Sequence, residues 1–405
     1  MIATYLALAF LGAAGLVCFR SVPFVLWAAT RTRSSRWARV LPLALLAVCG
    51  LALAAFGMEV LEIFVRAPLA VAFFGAVSCV VIELRALART ALGRAALIPV
   101  LVLSYVIVPS VAAGGPLLAP TLVMGWDRML AAYSFAVENA CVAHVRRREA
   151  LFFLVVDPSI AWTDRAVRDA SLRGTARART GGARIARGIA KLSAESLILW
   201  GGSVLPIVGV ATAPTEQFVV VHGIISGALL FMTLFVAHSG LADVQIGLLA
   251  LTGMRVSERY DRPYLARSPR EFWRRWNVWV GRWARRYVFV PLRTRLQARW
   301  PLAVSNAAAV LVTFSTLGLL HDIAFWAAGA HRNPTLIAPG VVAFAIFGVI
   351  TVGWELALAR RDPPRSPATA TGRWVELPLM FLVVAAVVWL VHPMLSEGRV
   401  PTLPR

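Results

Sequence analysis

The sequence predicts an all-α polytopic membrane protein, and three observations carry that expectation. Mean hydropathy is +0.73 and 59% of the 405 residues are hydrophobic, against about 45–50% apolar residues in soluble domains. The apolar runs reach the ~20 residues that a helix needs to cross a bilayer, whereas a β-barrel would show short alternating segments. Most basic residues are concentrated in the stretches between those runs, at 31–39, 85–94, 146–191, 255–299 and 360–373.

In chain order the expected spans are 2–29, 40–56, 67–84, 95–113, 121–145, 189–213, 218–239, 302–330, 337–359 and 376–394. The first lacks the basic start of a cleaved signal peptide and reads as a span. The fifth is interrupted by Asp127, Arg128, Glu138 and Asn139, so it reads either as a helix buried among others or as an amphipathic interfacial helix. Residues 160–187 are Gly- and Arg-rich and read as a cytoplasmic loop on the headgroups. Residues 240–300 join a span entering the cytoplasm to one leaving it, so they are expected to form surface or re-entrant helices. The whole is expected as one integral membrane domain over 1–405, with about ten transmembrane helices and further re-entrant or interfacial helices around a central intramembrane site.

Threading these spans puts every basic loop in the cytoplasm and both termini outside, the orientation that basic loops enforce beside anionic lipid. A plasma (inner) membrane location follows, with membrane lipids as partners. The formal charge of +21 belongs to these loops, and no nucleic-acid partner is expected. Lys191 is the only lysine, a skew that hints at a GC-rich bacterial genome. Cys18, Cys49, Cys79 and Cys141 lack CxxC spacing and read as small buried hydrophobes.

Two features carry chemistry. Phe272, Trp276, Trp279 and Trp283 recur at helical spacing if 271–286 is one helix, with Trp273 at the edge of the stripe. Arg275, Arg282 and Arg286 flank it, Arg274 and Arg285 point away, and Asn277 falls on the opposite flank. An interfacial anchor helix accounts for the Trp and Arg, but not for Asn277. The second feature is His321, deep within the apolar run FSTLGLLHDIAFW. Ionisable groups at such depth usually face a cavity or a pathway, and an apolar site favours a neutral imidazole able to accept a proton. A packing histidine bonded to a neighbouring helix is the plainer alternative. His144, His222, His238, His331 and His392 sit near span ends or in the preceding span. No HxxxH, HExxH, GxSxG or Walker pattern is present, so no metal site, hydrolase elbow or nucleotide loop is expected.

From Leu241 the chain reads LADVQIGLLALTGMRVSERYDRPYLARSPREFWRRWNVWVGRWARRYVFVPL. Asp243, Gly247, Tyr260, Pro263, Tyr264, Ser268, Phe272, Trp273, Arg274, Arg275, Trp276, Asn277, Trp283, Tyr287, Pro291 and Leu292 fall on one pattern, with His321 as its distal histidine. This region, 241–330, closely resembles the signature of the membrane-bound O-acyltransferase family, in its Asn-type form and similar to bacterial members. Many bacterial glycan-acylating members carry His where Asn277 stands, so here only His321 is titratable.

The resemblance implies transfer of an acyl group from an acyl thioester, with acyl-CoA the expected co-substrate, to a hydroxylated acceptor, a glycan, lipid or natural product, with no permanently bound cofactor. It implies His321 as general base, Asn277 as oxyanion donor or donor-orienting group, and Arg274, Arg275, Arg282, Trp273, Trp276 and Tyr287 as donor-binding residues. Some members of the family relay the acyl group to a partner transferase outside the cytoplasm. A transporter or flippase with His321 in its permeation path is the competing expectation.

Overall fold

Apolar runs become helices whose ends follow capping signals, and the polar residues inside them decide which neighbours they meet. The computed structural model describes residues 60–109, 118–209, 216–266, 268–327 and 339–359. The expected spans 2–29, 40–56 and 376–394 lie outside the described residues. The helices are α1 (Val60–Leu84), α2 (Ala91–Val102), α3 (Leu118–Glu138), α4 (Arg147–Leu151), α5 (Gly174–Gly209), α6 (Glu216–Leu251), α7 (Pro269–Arg275), α8 (Val278–Ala284), α9 (Val290–Gln297), α10 (Leu302–Ala327) and α11 (Pro339–Ala359). Among the described residues, Leu302–Ile323 and Gly340–Ala357 are long and apolar enough to cross a membrane.

The described residues divide into two compact units, one ending at Val204 but including Thr233–Glu258, the other comprising Leu205–Met232 and the residues from Arg259 onward. In the first unit, Thr90 caps α2 by accepting from Gly93 N, and Tyr105 stacks on Phe74 at 5.7 Å while its hydroxyl meets Ser78. Asp127, Arg128 and Asn139 of the fifth expected span are buried. Arg128 is buried and donates to the carbonyls of Phe153 (2.7 Å) and Ser159 (3.0 Å). The buried Asp157 accepts from the backbone N–H of Ser159 and Ala166. The helix is therefore the buried alternative, and its charges pin the chain that follows α4. It ends at Glu138, short of the expected 145.

Residues 174–187 are helical, where a loop was expected. Gly181 and Gly188 of α5 lie against Gly247 and Gly240 of α6, so close that a Cβ on Gly188 would stand 2.6 Å from the Gly240 carbonyl oxygen. Glycines seven residues apart on both helices let the backbones touch, which a composition reading takes for loop-forming content. The same packing carries Arg184, Arg187 and Lys191 to Asp243. Lys191 Nζ reaches Oδ2 at 2.7 Å and Arg187 Nε at 2.8 Å, and Arg184 also pairs with Glu258. Burial pushes the Asp243 carboxyl up, but the bonds and charges of Arg187 and Lys191 outweigh it and hold it below the usual carboxylate range. A two-residue antiparallel ladder, Val167–Arg168 with Met254–Arg255, pairs the chain just before α5 with the chain just after α6.

The cysteines correct the sequence reading. Cys79 and Cys141 are exposed rather than buried, Cys79 beside exposed Val80 and Leu84. Helix α1 is apolar all round, so its pattern cannot say which face meets protein. Cys18 and Cys49 lie outside the described residues.

Candidate active site

The signature region belongs mainly to the second unit, and its local sequence explains its shape. Ser268 caps α7: its Oγ accepts from Glu271 N at 3.1 Å, Pro269 occupies the first helical position, and Glu271 stands at the third, an arrangement close to a capping box. Glu271 then binds Arg275 one turn later, at 3.0 and 2.7 Å.

The single helix expected over 271–286 is broken. Helix α7 stops at Arg275, and Asn277 takes a left-handed conformation (φ 36°, ψ 62°) before α8 starts. Asparagine tolerates that region better than most residues. Arg259 fixes the break: its carbonyl accepts from Val278 N, and its Nε donates to Asn277 Oδ1 at 3.1 Å. A second backbone bond, Asp261 N to Arg275 O at 2.9 Å, ties the same turn. Arg259 is only 6% exposed and lies 5.1 Å from the ring of the buried Trp279. Because a guanidinium only donates, the amide oxygen must face it, and the NH₂ of Asn277 faces away.

The aromatic stripe is split between two helices. Phe272 stacks on Trp276 at 5.6 Å, and Trp276 meets Tyr260 edge-on at 5.3 Å. Trp273 faces the apolar helices α10 and α11, with ring centroids 5.3 Å from Phe314, 5.0 Å from Phe347 and 6.4 Å from Phe344. Trp283 packs on Tyr287 at 5.5 Å instead. Between α8 and α9 the helix widens to a π register over Arg285–Phe289, next to Pro291, which has no N–H for an ordinary helical bond.

His321 lies on α10, partly buried. Its Nδ1 is 2.7 Å from the Leu317 carbonyl. A carbonyl can only accept, so Nδ1 carries the proton and Nε2 the lone pair. The imidazole packs against Phe344, tilted by 32° with ring centroids 4.6 Å apart. Phe344 therefore touches both the histidine and Trp273, four residues before Asn277. Phe344 thus links His321 to Trp273, on the helix that runs into the turn bearing Asn277.

What holds α10 to α11 was not singled out from the sequence. Asp322, next to His321 and buried, accepts from the first backbone N–H groups of α11: Gly340 N at 2.6 Å and Val341 N at 2.9 Å. It satisfies orphan donors and sets its charge against the positive end of the helix. Gly318 makes the approach possible, since a Cβ there would be 2.4 Å from the Gly340 oxygen. The acidic residue beside the histidine was the available signal; its partner, 18 residues on, was not. Arg259 and Phe344 were missed for the same reason.

The predicted donor-binding residues divide. Trp273 and Trp276 pack in the aromatic cluster. Arg275 is engaged by Glu271 and by the Asp261 carbonyl, so its guanidinium serves the turn. Arg274 and Arg282 are exposed, and Tyr287 lies between Trp283 and Arg286.

Residues 203–332 match the model of the membrane-bound O-acyltransferase family. The probable alginate O-acetylase of Pseudomonas putida is 30% identical over 147 residues, covering 32% of this chain and 29% of that protein. The peptidoglycan O-acetyltransferase of Helicobacter pylori is 26% identical over 31% of this chain and 27% of its own length. A probable long-chain-alcohol O-fatty-acyltransferase of Arabidopsis thaliana is 30% identical over 42% of this chain and 50% of its own. The similarity thus spans half or less of each of these relatives. Residues 203–332, which hold Asn277, the aromatic stripe and His321, are thus the part of the chain that matches the membrane-bound O-acyltransferase family.

Proposed function

We propose that the protein is a membrane-embedded O-acyltransferase that moves an acyl group from an acyl thioester, most simply acyl-CoA, to an acceptor hydroxyl by direct transfer. The observation that carries this reading is the cluster joining His321, through Phe344 and Trp273, to the turn that bears Asn277. The family match and the similarity to proteins named as O-acetylating and fatty-acylating enzymes support it.

The transfer needs a base and an oxyanion partner. With Nδ1–H held by the Leu317 carbonyl, Nε2 of His321 takes the acceptor's proton while the hydroxyl oxygen bonds the thioester carbon. The Asn277 NH₂, turned away from Arg259, donates to the developing oxyanion. Collapse breaks the carbon–sulfur bond, and the leaving thiolate recovers the proton from the imidazolium. General-base catalysis contributes ~10²–10⁴-fold and one oxyanion donor ~10²–10³-fold in rate. The exposed Arg274 and Arg282 suit the donor's phosphates.

In the full reading the chain crosses the plasma membrane about ten times, with the basic loops and donor side cytoplasmic. The acceptor, glycan, lipid or natural-product hydroxyl, arrives from the membrane or the outside, with or without a partner transferase there. The test is purified protein in lipid nanodiscs given labelled acyl-CoAs of several lengths and host lipid and glycan extracts, with products read by mass spectrometry. Acylated product from wild type is expected, with turnover below a tenth in H321A. In N277A turnover should fall more than donor affinity. H321A turnover above a tenth of wild type would overturn the general-base role.

A further inference from the structure

We infer that Arg259 is a positioning residue for the reaction, orienting and polarising the Asn277 amide from beneath; this rests on the acyl-transfer reading above. Three observations meet at this side chain. Arg259 is 6% exposed, and a buried guanidinium is costly unless its donors are engaged. Its Nε donates to Asn277 Oδ1 at 3.1 Å, and its backbone carbonyl accepts from Val278 N, so one residue grips both the side chain and the main chain of the break. Its guanidinium also lies 5.1 Å from the buried Trp279 ring, which fixes its own position.

Asn277 sits at φ 36°, a left-handed conformation that asparagine tolerates and that the bonds to Arg259 hold in place. An asparagine amide can otherwise turn over, exchanging its oxygen and its NH₂. A donor on one side forbids the turned-over form, because NH₂ would then face N–H. The positive charge beside the oxygen also draws electron density from the amide and makes its NH₂ a stronger donor, as hydrogen bonds in series reinforce one another. Arg259 touches no reacting atom in this scheme. It acts through Asn277.

A double-mutant cycle separates this role from simple support. R259M, R259K, N277A and the R259M/N277A and R259K/N277A pairs are assayed in nanodiscs for kcat and KM with an acyl-CoA donor, and each is melted in detergent. R259M is expected to lower kcat roughly 10- to 100-fold, approaching N277A, with donor KM little changed. R259K, which keeps a charge and a donor, is expected to lose less. The decisive result is that neither pair is slower than N277A alone, since an oriented amide that is already gone cannot be lost again. Losses that multiply in the pairs, or lowered melting temperatures with kcat intact, overturn the proposal. Failure of both Arg259 variants to fold would also overturn it, leaving Arg259 as a structural prop. Wild type without acyl transfer, or N277A at wild-type rate, would instead strike the acyl-transfer reading.

Discussion

Replacing Asp322 by alanine removes the carboxylate that joins α10 to α11 directly beside His321. The structure sets the size of the effect. Two backbone donors meet the carboxylate, at 2.6 and 2.9 Å, and bonds to a charged group contribute about 1.5–3 kcal/mol each, so about 3–6 kcal/mol is the ceiling. Helix-cap replacements cost about 0.5–2 kcal/mol, and polar contacts within membranes average only about 0.6 kcal/mol because the unfolded chain also finds partners. The side chain is buried and both its oxygens are used, which places D322A above those averages, at about 2–3 kcal/mol. D322N keeps one acceptor oxygen but turns an NH₂ toward an N–H, and should cost about half as much. Tryptophan fluorescence during SDS unfolding in mixed micelles measures both. Because the carboxylate also fixes His321 against Phe344, turnover should fall in the same order, wild type, D322N, D322A. A D322A protein within ~0.5 kcal/mol of wild type would refute the clamp, as would D322N being less stable than D322A.

Other consequences follow from the packing and charge described above. G318A should destabilise by about 1–3 kcal/mol, since its methyl carbon would meet the Gly340 carbonyl oxygen at 2.4 Å; a melting temperature equal to wild type would show that α10 and α11 do not approach so closely. Asp243 titrates below the usual carboxylate range in the folded protein because Arg187 and Lys191 bind its charged form. The stability this confers is present above the ordinary carboxylate pKa of about 3.9 and is lost as pH falls through the lower folded value. D243N should therefore be less stable than wild type at pH 7 and the gap should close toward pH 3, which melting in detergent at stepped pH reads directly; a gap that widens on acidification would contradict the sign.

The aromatic and basic residues of the signature were legible because their spacing and identity are written in one continuous stretch. So was His321, whose depth in a long apolar run is itself the signal. Helix positions for α1, α10 and α11 were legible too, since long apolar runs have few other ways to satisfy their backbone hydrogen bonds in a membrane. The Gly- and Arg-rich run before α6 misled, because glycine means flexibility in isolation and close approach only when a second helix supplies glycines at the same interval.

The helical membrane class, the acyltransferase signature and the two polar residues proposed for catalysis were thus determined by sequence alone, because each is a local pattern of residue types. Tertiary structure decided the rest. It broke the expected helix at Asn277, put Arg259 under that residue, turned the His321 lone pair onto Nε2 and joined α10 to α11 through Asp322. Those are pairings between residues 4 to 18 positions apart, each set by the geometry of a particular turn or helix crossing. Such geometry comes from packing, and the order of side chains along the chain does not contain it.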